Sequence, residues 1–301
     1  MKFVQPEIFL IAKSKPDDTE IRRWMTHLGC DPAIVDRYAS GTTDVAVKSD
    51  GERLVELMGR RCYLSFQPGK LNPNVSKIRE DIAEYCDNIL KSGHGSVLEH
   101  VYFTFAIEGV SRVFTGEMNR HRAGVAISEG SMRYIRYTDI PLAETPLLTM
   151  TAEDIADPDY IAYVNAGYDD NIASFDSVAV KKHRTRELFQ RHAEQTERDY
   201  AEFCAIWRDE LRPESKFSFK KHVTSLGRRI IPMGVATGGV WTANIRALRH
   251  IATMRCSEAA EEEIAVVAVK ILQVMMREEP ILFHDFHLND RGYWEPVYAK
   301  V

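Results

Sequence analysis

The sequence predicts an α+β fold. Segments with the helical repeat of apolar residues and segments with the alternating repeat of a strand both occur along the 301 residues. They do not follow one another in the regular βαβ order of a parallel sheet. Hydrophobic residues make up 45% of the chain and charged residues 28%, which is typical of a folded globular protein. The chain is therefore expected to bury a core made of both helices and strands.

The first clear element is a helix after the segment NPNVS. Ile78, Ile82, Tyr85 and Ile89 recur at helical spacing, so their side chains share one face. Gly93 stands just past this pattern, where a left-handed residue ends a helix at little cost. The pattern predicts a helix that begins near Ile78 and ends before Gly93.

A strand and a short helix are predicted next, in HVYFTFAIEG and VSRVFTGEMNRHR. Val101, Phe103, Phe105 and Ile107 occupy every second position of the first segment, which is the period of a strand. The second segment has an apolar face at helical spacing, and its basic residues come last. These basic residues are therefore expected at or near the end of a helix.

The rest of the chain is predicted to contain a loop, a long helix and a mixed block. The Pro- and Asp-rich region from Asp139 to about Asp159 is typical of a loop, and a charged helix is expected from about Ser177 to Leu211. The block from Lys220 to Ile281 begins with a basic helix and passes through the glycine-rich segment MGVATGGVW. It ends in two helices, TANIRALRHIATMR and EAAEEEIAVVAVKILQVMM.

Charge and cysteine content argue against several classes of protein. The net charge of -5 disfavours a general nucleic-acid-binding protein, because non-specific binding to phosphates needs a broad basic surface. No signal peptide or membrane span is evident, so neither export nor anchoring is expected. A reducing cytoplasm and no disulfide framework are expected because the cysteines are scattered without CxxC spacing, at Cys30, Cys62, Cys86, Cys204 and Cys256.

The segment NRHRAGVAISEGSMRY concentrates charged and hydroxyl side chains. It suits either a solvated surface or a loop that binds an anion beside a polar ring, because the planar guanidinium of arginine pairs with phosphate through two hydrogen bonds. Its polar members are Arg120, His121, Arg122, Ser128, Glu129, Ser131 and Arg133.

Further arginines stand among apolar residues in the last block, at Arg228, Arg246 and Arg255. Burying an unpaired guanidinium is unfavourable, so these side chains need partners. The partners are either a bound anion or internal carboxylates, of which Glu99, Glu129 and Glu263 are candidates.

Glycine loops and a cysteine nucleophile are less well supported. SGHGSVLEH contains GxG but lacks the third glycine and follows a helix, so it does not match the dinucleotide fingerprint, and no Walker loop occurs. Cys256 stands next to Arg255, and a neighbouring cation lowers the pKa of a thiol. No base is placed near Cys256 in the sequence, so a thiol nucleophile is not expected.

Histidine pairs and a basic run offer two other possibilities. His94 with His100, and His284 with His287, have no accompanying ligand pattern, so no metal site is expected. The run KKHRTRELFQRH from Lys181 to His192 suits RNA binding or a solvated helix face, and the acidic residues that follow it favour the solvated face.

Several motifs together resemble the flavin-dependent thymidylate synthases. They are HGSVLEHVYFTF, RHR followed by SEGSMRY, and RRIIP with TANIRALRHIATMR. The signature of that family is RHR followed at a fixed distance by Ser; here eight residues, Ala123 to Gly130, separate Arg122 from Ser131, one more than in the family. The resemblance covers about residues 78–137 and 227–281.

The resemblance implies an enzyme that uses FAD, NADPH and methylenetetrahydrofolate to methylate dUMP at C5. It implies a central mixed or antiparallel sheet flanked by helices, and a homotetramer with active sites at subunit interfaces. We expect a single domain over residues 1–301, with an N-terminal extension over about 1–70 and a helical insertion over about 140–215.

The resemblance also assigns residues to ligands. Ser131 and Arg255 are the expected catalytic residues, with Arg255 on the pyrimidine ring and Ser131 with Arg133 on the phosphate. The flavin set is His94, Ser96, Arg120, His121, Arg122, Glu129, Asn244, Arg246 and His250. The nucleotide set is Glu117, Ser131, Arg133, Arg228 and Arg255.

Four positions depart from the family pattern. Glu117 stands where Gln is common, His250 replaces Asn, Ala259 replaces His, and Ser128 replaces Asn or a similar residue. With the inserted residue, these departures leave open a sibling enzyme that acts on UMP or another pyrimidine nucleotide. A third hypothesis is an inactive protein that binds flavin or nucleotide without converting it.

Overall fold

The computed structural model of the protein describes residues 3–39, 49–133, 141–168 and 177–301. The chain divides into two compact units, each built from segments that are distant in the sequence. The first unit comprises Met1–Glu7, Ile107–Met118 and Ser128–Gly239. The second unit comprises Ile8–Ala106, Asn119–Ile127 and Val240–Val301.

The strands of the described residues form three sheets. A parallel pair joins β1 (Phe3–Val4) to β5 (Leu142–Ala143), and an antiparallel pair joins β7 (Phe286–Leu288) to β8 (Trp294–Pro296). The largest sheet has four strands in the order β2, β3, β6, β4. In that order these strands are Glu7–Lys13, Tyr102–Ser111, Ala236–Asn244 and Val125–Glu129.

Strands β4 and β6 run antiparallel. The Asn244 N–H donates to the Gly124 carbonyl at 3.0 Å, and the Gly130 N–H donates to the Gly238 carbonyl at 2.9 Å. Residue numbers therefore rise along β4 while they fall along its neighbour. In the sequence, strand β4 lies between the segment RHR and Ser131.

The first unit contains the middle part of the chain. Its helices are α5 (Arg112–Met118), α6 (Ala152–Ala156), α7 (Pro158–Asn165), α8 (Val178–Ile206) and α9 (Phe217–Gly227). A small apolar cluster of Tyr200, Ile231 and Val235 is buried in this unit, and Met132 packs against it. The core of the unit therefore reaches the loop that carries Arg133.

The second unit contains two buried ion pairs. Its helices are α1 (Asp18–His27), α2 (Pro32–Ala39), α3 (Asp50–Tyr63), α4 (Ile82–Lys91), the 3-10 helix η1 (Gly95–His100), α10 (Ile245–Arg255) and α11 (Glu262–Glu278). Arg60 pairs with Glu56 at 2.7 Å, and Arg249 pairs with Asp285 at 2.8 Å. Buried charges need such partners, so these arginines serve the structure of the unit.

The prediction of an α+β protein is confirmed, since the described residues contain both helices and sheets. The predicted strand corresponds to β3, and the helix after it to α5. The glycine-rich segment forms most of β6, and the helices expected in the last block are α9, α10 and α11. Gly93 has φ +68° and follows α4, as the sequence predicts.

The predicted start of α4 is wrong by one turn. The helix begins at Ile82, because the Asp81 side chain accepts a hydrogen bond from the Glu84 N–H at 2.8 Å and caps it there. Ile78 therefore lies before the helix, in a segment without helix or strand.

The prediction of a loop from Asp139 to Asp159 is also wrong where the structure describes it. Residues 134–140 lie outside the described residues, and the remainder contains β5, α6 and the start of α7. Thr151 and Asp154 form a capping box, and Asp157 caps α7 with Pro158 in its first turn. Asp and Pro act here as helix-start signals.

The long helix α8 ends at Ile206, five positions before the predicted Leu211. Within the described residues, none of the helices combines the length and the hydropathy needed to cross a bilayer.

Candidate functional site

The residues that the resemblance assigns to the flavin lie mainly in the second unit. Glu129 is the exception, because it lies in the first unit at the end of β4. The others come from the start of η1, from the RHR segment and from α10 with its cap. They are His94, Ser96, Arg120, His121, Arg122, Asn244, Arg246 and His250.

A hydrogen bond joins the RHR segment to the end of α10. Arg255 is the last residue of α10, and its Nε donates to Nε2 of His121 at 2.9 Å. Because guanidinium nitrogens only donate, His121 Nε2 must carry a lone pair, and the ring proton of a neutral imidazole is then on Nδ1. The His250 ring lies edge to face with the His121 ring, with 5.9 Å between their centroids. The bond orients two side chains that are 134 positions apart in the sequence.

Asn244 connects the turn after RHR to the start of α10. Its Oδ1 accepts from the Ala247 N–H at 2.8 Å and caps the helix, and its side chain is buried. Gly124 faces it with φ +70°, and a Cβ at Gly124 would overlap the Asn244 side chain. The turn therefore requires glycine, and Asn244 has a structural role whatever else it binds.

Arg246 forms one of the ion pairs that the sequence suggested. Its guanidinium lies 2.5 Å from the carboxylate of Glu99, and both side chains are 47% exposed. The side chain also passes close to Gly95, where a Cβ would meet Arg246 Nε at 2.8 Å. An exposed pair of this kind contributes about 0–1 kcal/mol, so Arg246 can exchange Glu99 for another anion.

A cleft of about 610 Å³ opens beside two residues of the flavin set, His94 and Ser96. All of its lining residues belong to the second unit. The His94 ring lies edge to face with the ring of Tyr63, which is also part of the lining. A cleft of this volume falls in the range of small-molecule sites, roughly 300–1,000 Å³. We call it the η1 cleft.

The nucleotide set is divided between the units. Glu117 is half-buried near the end of α5, and Arg228 is the exposed C-cap of α9; both belong to the first unit. Ser131 and Arg133 lie in the loop after β4 in the same unit. Arg255 belongs to the second unit.

Helix α9 holds Arg133 through two hydroxyl groups. The Arg133 Nε donates to Ser225 Oγ at 2.9 Å, and Thr224 Oγ1 donates to the Arg133 carbonyl at 2.7 Å. The Arg133 N–H lies 3.4 Å from Ser131 Oγ, at the limit of a hydrogen bond. Both the backbone and the side chain of Arg133 are thus held in place. The hydrogen bond from Nε orients the whole guanidinium, including its terminal nitrogens.

Arg112 supports the same loop, and the sequence reasoning missed it. Its guanidinium donates to the Gly130 carbonyl at 2.6 Å, lies 3.2 Å from the Met132 sulfur and pairs with Glu129 at 3.4 Å. The Glu129 carboxylate, a candidate partner for the arginines, therefore contacts one that was not considered. Arg112 stands in VSRVF among apolar residues, and that context is the signal that could have found it.

Cys256, which follows Arg255 in the sequence, is a buried thiol. Cys256 is 3% exposed, and burial raises the pKa of its thiol to about 12. Burial has this effect because desolvation disfavours the charged thiolate. Cys256 is accordingly unsuited to act as a nucleophile at neutral pH.

Both histidines of the second pair have carboxylate neighbours. His284 Nε2 lies 3.2 Å from Asp87 Oδ1, and His287 Nε2 lies 3.5 Å from Glu295 Oε1. In the part of the chain that the structure describes, no group of three or more His, Cys, Asp or Glu side chains is arranged to hold a metal ion.

The basic run at the start of α8 is used partly within the first unit. Lys182 pairs with Asp154 at 2.7 Å, and Arg186 pairs with Glu144 and donates to the Leu148 carbonyl at 3.0 Å. For these two cations the interpretation as a solvated helix face is wrong, because their contacts hold α8 against the segment before it.

Comparison with known proteins identifies the family. The sequence model described as "Thymidylate synthase complementing protein" (Thy1) matches residues 45–281. A flavin-dependent thymidylate synthase of Mycolicibacterium gilvum is 32% identical over 253 residues, 83% of this chain and 86% of that protein. Proteins of the same name from Mycobacterium marinum and Corynebacterium diphtheriae are 32% and 29% identical, over 82% and 80% of this chain and 83% and 81% of theirs.

The chain therefore belongs to the flavin-dependent thymidylate synthase family, a family of enzymes. The predicted resemblance and the prediction of an enzyme are both confirmed. The matched range also includes the residues between the two stretches on which the motifs were found.

Proposed function

We propose that this chain is an FAD-dependent thymidylate synthase that methylates dUMP at C5 to give dTMP. Methylenetetrahydrofolate is the carbon donor and NADPH the reductant. Family membership and the name of the relatives support a flavin enzyme that acts on a pyrimidine nucleotide. The observation that carries the proposal is the hydrogen bond from Arg255 to His121, because it joins the RHR segment to the end of α10.

The residues of the second unit fit FAD in their chemistry. The pyrophosphate and the ribityl hydroxyls of FAD need cations and hydrogen-bond donors. Arg120, Arg122 and Arg246 are exposed cations, and Ser96 and His94 are exposed polar groups beside them in the flavin set. The weak exposed pair of Arg246 with Glu99 allows this arginine to turn to the pyrophosphate.

Arg255 polarises the pyrimidine in this proposal. Bond formation at C5 builds negative charge on the ring, and an oriented cation at the polar edge of the ring stabilises that charge. His121 holds the Arg255 Nε, and the terminal guanidinium nitrogens carry the remaining donors. The bound flavin supplies the reducing equivalents. The high pKa of Cys256 agrees with a reaction in which the protein provides no thiol nucleophile.

Ser131 and Arg133 bind the nucleotide phosphate, with Arg228 and Glu117 in the same set. The bonds from Arg133 to Ser225 and from Thr224 to Arg133 support this role, since a prearranged guanidinium loses less entropy on binding. A carboxylate near a phosphate is repulsive unless it is protonated or paired with an arginine, so Glu117 needs one of these two conditions if it lies beside the phosphate.

The chain forms a single domain of the family, and the match across residues 45–281 supports this. Four copies of the chain form a homotetramer whose active sites lie at the subunit interfaces. The N-terminal residues to about 70 extend this domain, and about 140–215 form an insertion in it. A cytoplasmic setting is supported by the cysteines, all of which are free thiols.

Release of tritium from dUMP labelled at C5 tests the proposal. The purified protein is assayed with FAD, NADPH and methylenetetrahydrofolate, and labelled UMP is run in parallel. We expect release from dUMP, formation of dTMP and little release from UMP.

Release from UMP instead would identify the sibling enzyme, and would mean that Glu117 and the inserted residue reshape the sugar pocket. Binding of FAD without release from either nucleotide would indicate an inactive binder. A colourless protein that takes up no FAD would overturn the assignment of the flavin set.

A further inference from the structure

One wall of the η1 cleft is a loop, residues 64–81, that contains neither helix nor strand. One backbone hydrogen bond within the loop and one side-chain hydrogen bond to the end of α3 hold it in place. The Gly69 N–H donates to the Val75 carbonyl at 2.8 Å, and Asn72 Nδ2 donates to the Tyr63 carbonyl at 2.8 Å. These hydrogen bonds give the loop a defined conformation, although it contains neither helix nor strand.

Arg60 fixes both ends of this wall. Its side chain is 1% exposed, and its guanidinium pairs with Glu56 at 2.7 Å. The same guanidinium donates to the Ser65 carbonyl at 3.2 Å and to the Arg79 carbonyl at 2.6 Å, and it lies 4.3 Å from the centre of the Tyr85 ring. A buried cation with all of these partners resists displacement, so the cleft keeps its shape without a ligand.

The rim of the wall carries two exposed cations, Lys77 and Arg79. Among the described residues Lys77 has no ion-pair partner, and Arg79 has a single exposed one, Glu84, with 3.3 Å from its Nε to the carboxylate. The two Cα atoms are at most about 7 Å apart, the reach of two residues in a fully extended chain. Asn74 and Ser76 add hydrogen-bonding side chains to the same lining.

We propose that the η1 cleft binds the glutamate tail of the folate co-substrate, with Lys77 and Arg79 on its carboxylates. This inference rests on the proposed function, in which methylenetetrahydrofolate donates the carbon. Folate joins a flat, uncharged ring system to an anionic end made of one or more glutamates. The cleft has aromatic and polar groups at Tyr63 and His94, and cations on its rim.

Carboxylates suit this rim better than the phosphates of the other ligands. In the proposed function, arginines of the RHR segment and α10 hold the FAD pyrophosphate, and Arg133 holds the nucleotide phosphate. The glutamate end is left without cations. Its carboxylates also follow one another along a flexible chain, as Lys77 and Arg79 do along the rim, so each cation can pair with one of them.

The test compares folate substrates that differ only in the number of glutamates. The double variant Lys77→Ala/Arg79→Ala removes the rim cations. Arg61→Ala/Lys91→Ala is the matched control, because it removes two exposed cations that do not line the cleft. For each protein, KM is measured for methylenetetrahydrofolate with one and with three glutamates, for dUMP and for NADPH, and the retention of FAD is measured on dilution.

We expect the wild type and the control to have a lower KM for the triglutamate than for the monoglutamate. The rim variant is expected to lose most of this preference, with its KM for the triglutamate rising about tenfold and its kcat unchanged. Higher salt should reduce the preference of the wild type, because the cations are exposed.

A preference that survives in the rim variant, or that is absent from the wild type, would overturn the inference. Weaker FAD retention or a raised KM for NADPH without loss of the preference would mean that the cations bind phosphate, which also overturns it. If the wild type forms no dTMP, the proposed function fails instead. Equilibrium binding of tetrahydrofolate mono- and triglutamate to the same proteins then decides whether the cleft recognises the tail.

Discussion

Replacing Arg255 by lysine separates the charge at the end of α10 from its orientation. Lysine keeps the cation but has no group equivalent to the Nε that donates to His121 at 2.9 Å. Loss of an oriented donor to charge that develops in the transition state lowers kcat about 10²- to 10³-fold, or about 2.7–4 kcal/mol. The free energy of unfolding should fall by less than about 2 kcal/mol, because the hydrogen bond to the partly buried His121 ring is lost while the positive charge is kept.

The assay measures kcat by tritium release at saturating dUMP, beside the free energy of unfolding in urea. Arg277→Lys is the matched control, since Arg277 is an exposed cation in the last turn of α11. We expect the control to leave both quantities unchanged. A kcat of wild-type size in Arg255→Lys would refute the role of the oriented guanidinium. A loss of activity that simply parallels unfolding would refute it as well.

Three further predictions concern the supports of the site. Arg112→Lys should raise KM for the nucleotide about tenfold with a much smaller effect on kcat, because lysine cannot make the contacts that hold the Ser131 loop, and steady-state kinetics measures both. Gly124→Ala should lower the free energy of unfolding by about 2–4 kcal/mol and weaken FAD binding, because alanine is strained at positive φ and overlaps Asn244. Burial raises the pKa of Glu279 to about 7, so its contribution to stability is full below the unfolded pKa near 4.5 and is lost as the pH rises through 7. Glu279→Gln should therefore be more stable relative to the wild type at pH 8 than at pH 4.5, by roughly 3 kcal/mol in urea unfolding.

Each of these predictions has a control in the chain. Arg208→Lys changes an exposed arginine away from the loop and should leave KM unchanged. Gly69→Ala has a similar φ of +67° but nothing within 4 Å of the new Cβ, so it should cost only the backbone strain, about 1 kcal/mol. Glu278→Gln removes a neighbouring carboxyl whose pKa is lowered, chiefly by the hydrogen bond from Lys13. A lowered pKa stabilises the folded protein at higher pH, so this variant should lose stability relative to the wild type as the pH rises, which is the opposite of Glu279→Gln.

For each variant, one result would contradict the prediction. An unchanged KM for the nucleotide in Arg112→Lys would mean that the Ser131 loop keeps its conformation without the Arg112 guanidinium contacts. Equal destabilisation by Gly124→Ala and Gly69→Ala would remove the contact with Asn244 from the explanation. A pH dependence of Glu279→Gln identical to that of the wild type would mean that Glu279 titrates normally in the folded protein.

Local signals in the sequence were reliable where the structure depends on neighbouring residues. The alternation in HVYFTFAIEG predicts β3, and Gly93 ends α4, because both depend on residues within one or two turns. The prediction of a loop after Asp139 was wrong because the same residue types, Asp and Pro, occur both in loops and at helix starts. Asp and Pro around Asp157 suit a loop and a helix start equally well, and the capping contacts decide between them.

The sequence motifs name a set of candidate site residues, but they do not show which side chains those residues contact. The motif around Arg122 and Ser131 pointed to the family that the sequence model confirms, and the resemblance implied the candidate side chains. The side chains that hold them were not in the motif. Arg112 on the Ser131 loop and Thr224 on Arg133 belong to helices that the sequence places far from their partners.

The sequence by itself determined the α+β class, the positions of most elements and the family, because apolar periodicity, caps and a spaced motif are encoded within short stretches of chain. Only the tertiary structure decided that Arg255 contacts His121, that Arg60 anchors the cleft wall and that Cys256 is a buried thiol with a raised pKa. The partners of a cation and the pKa of a thiol depend on burial and on distances between residues that are remote in the chain, and a local pattern carries no information about either.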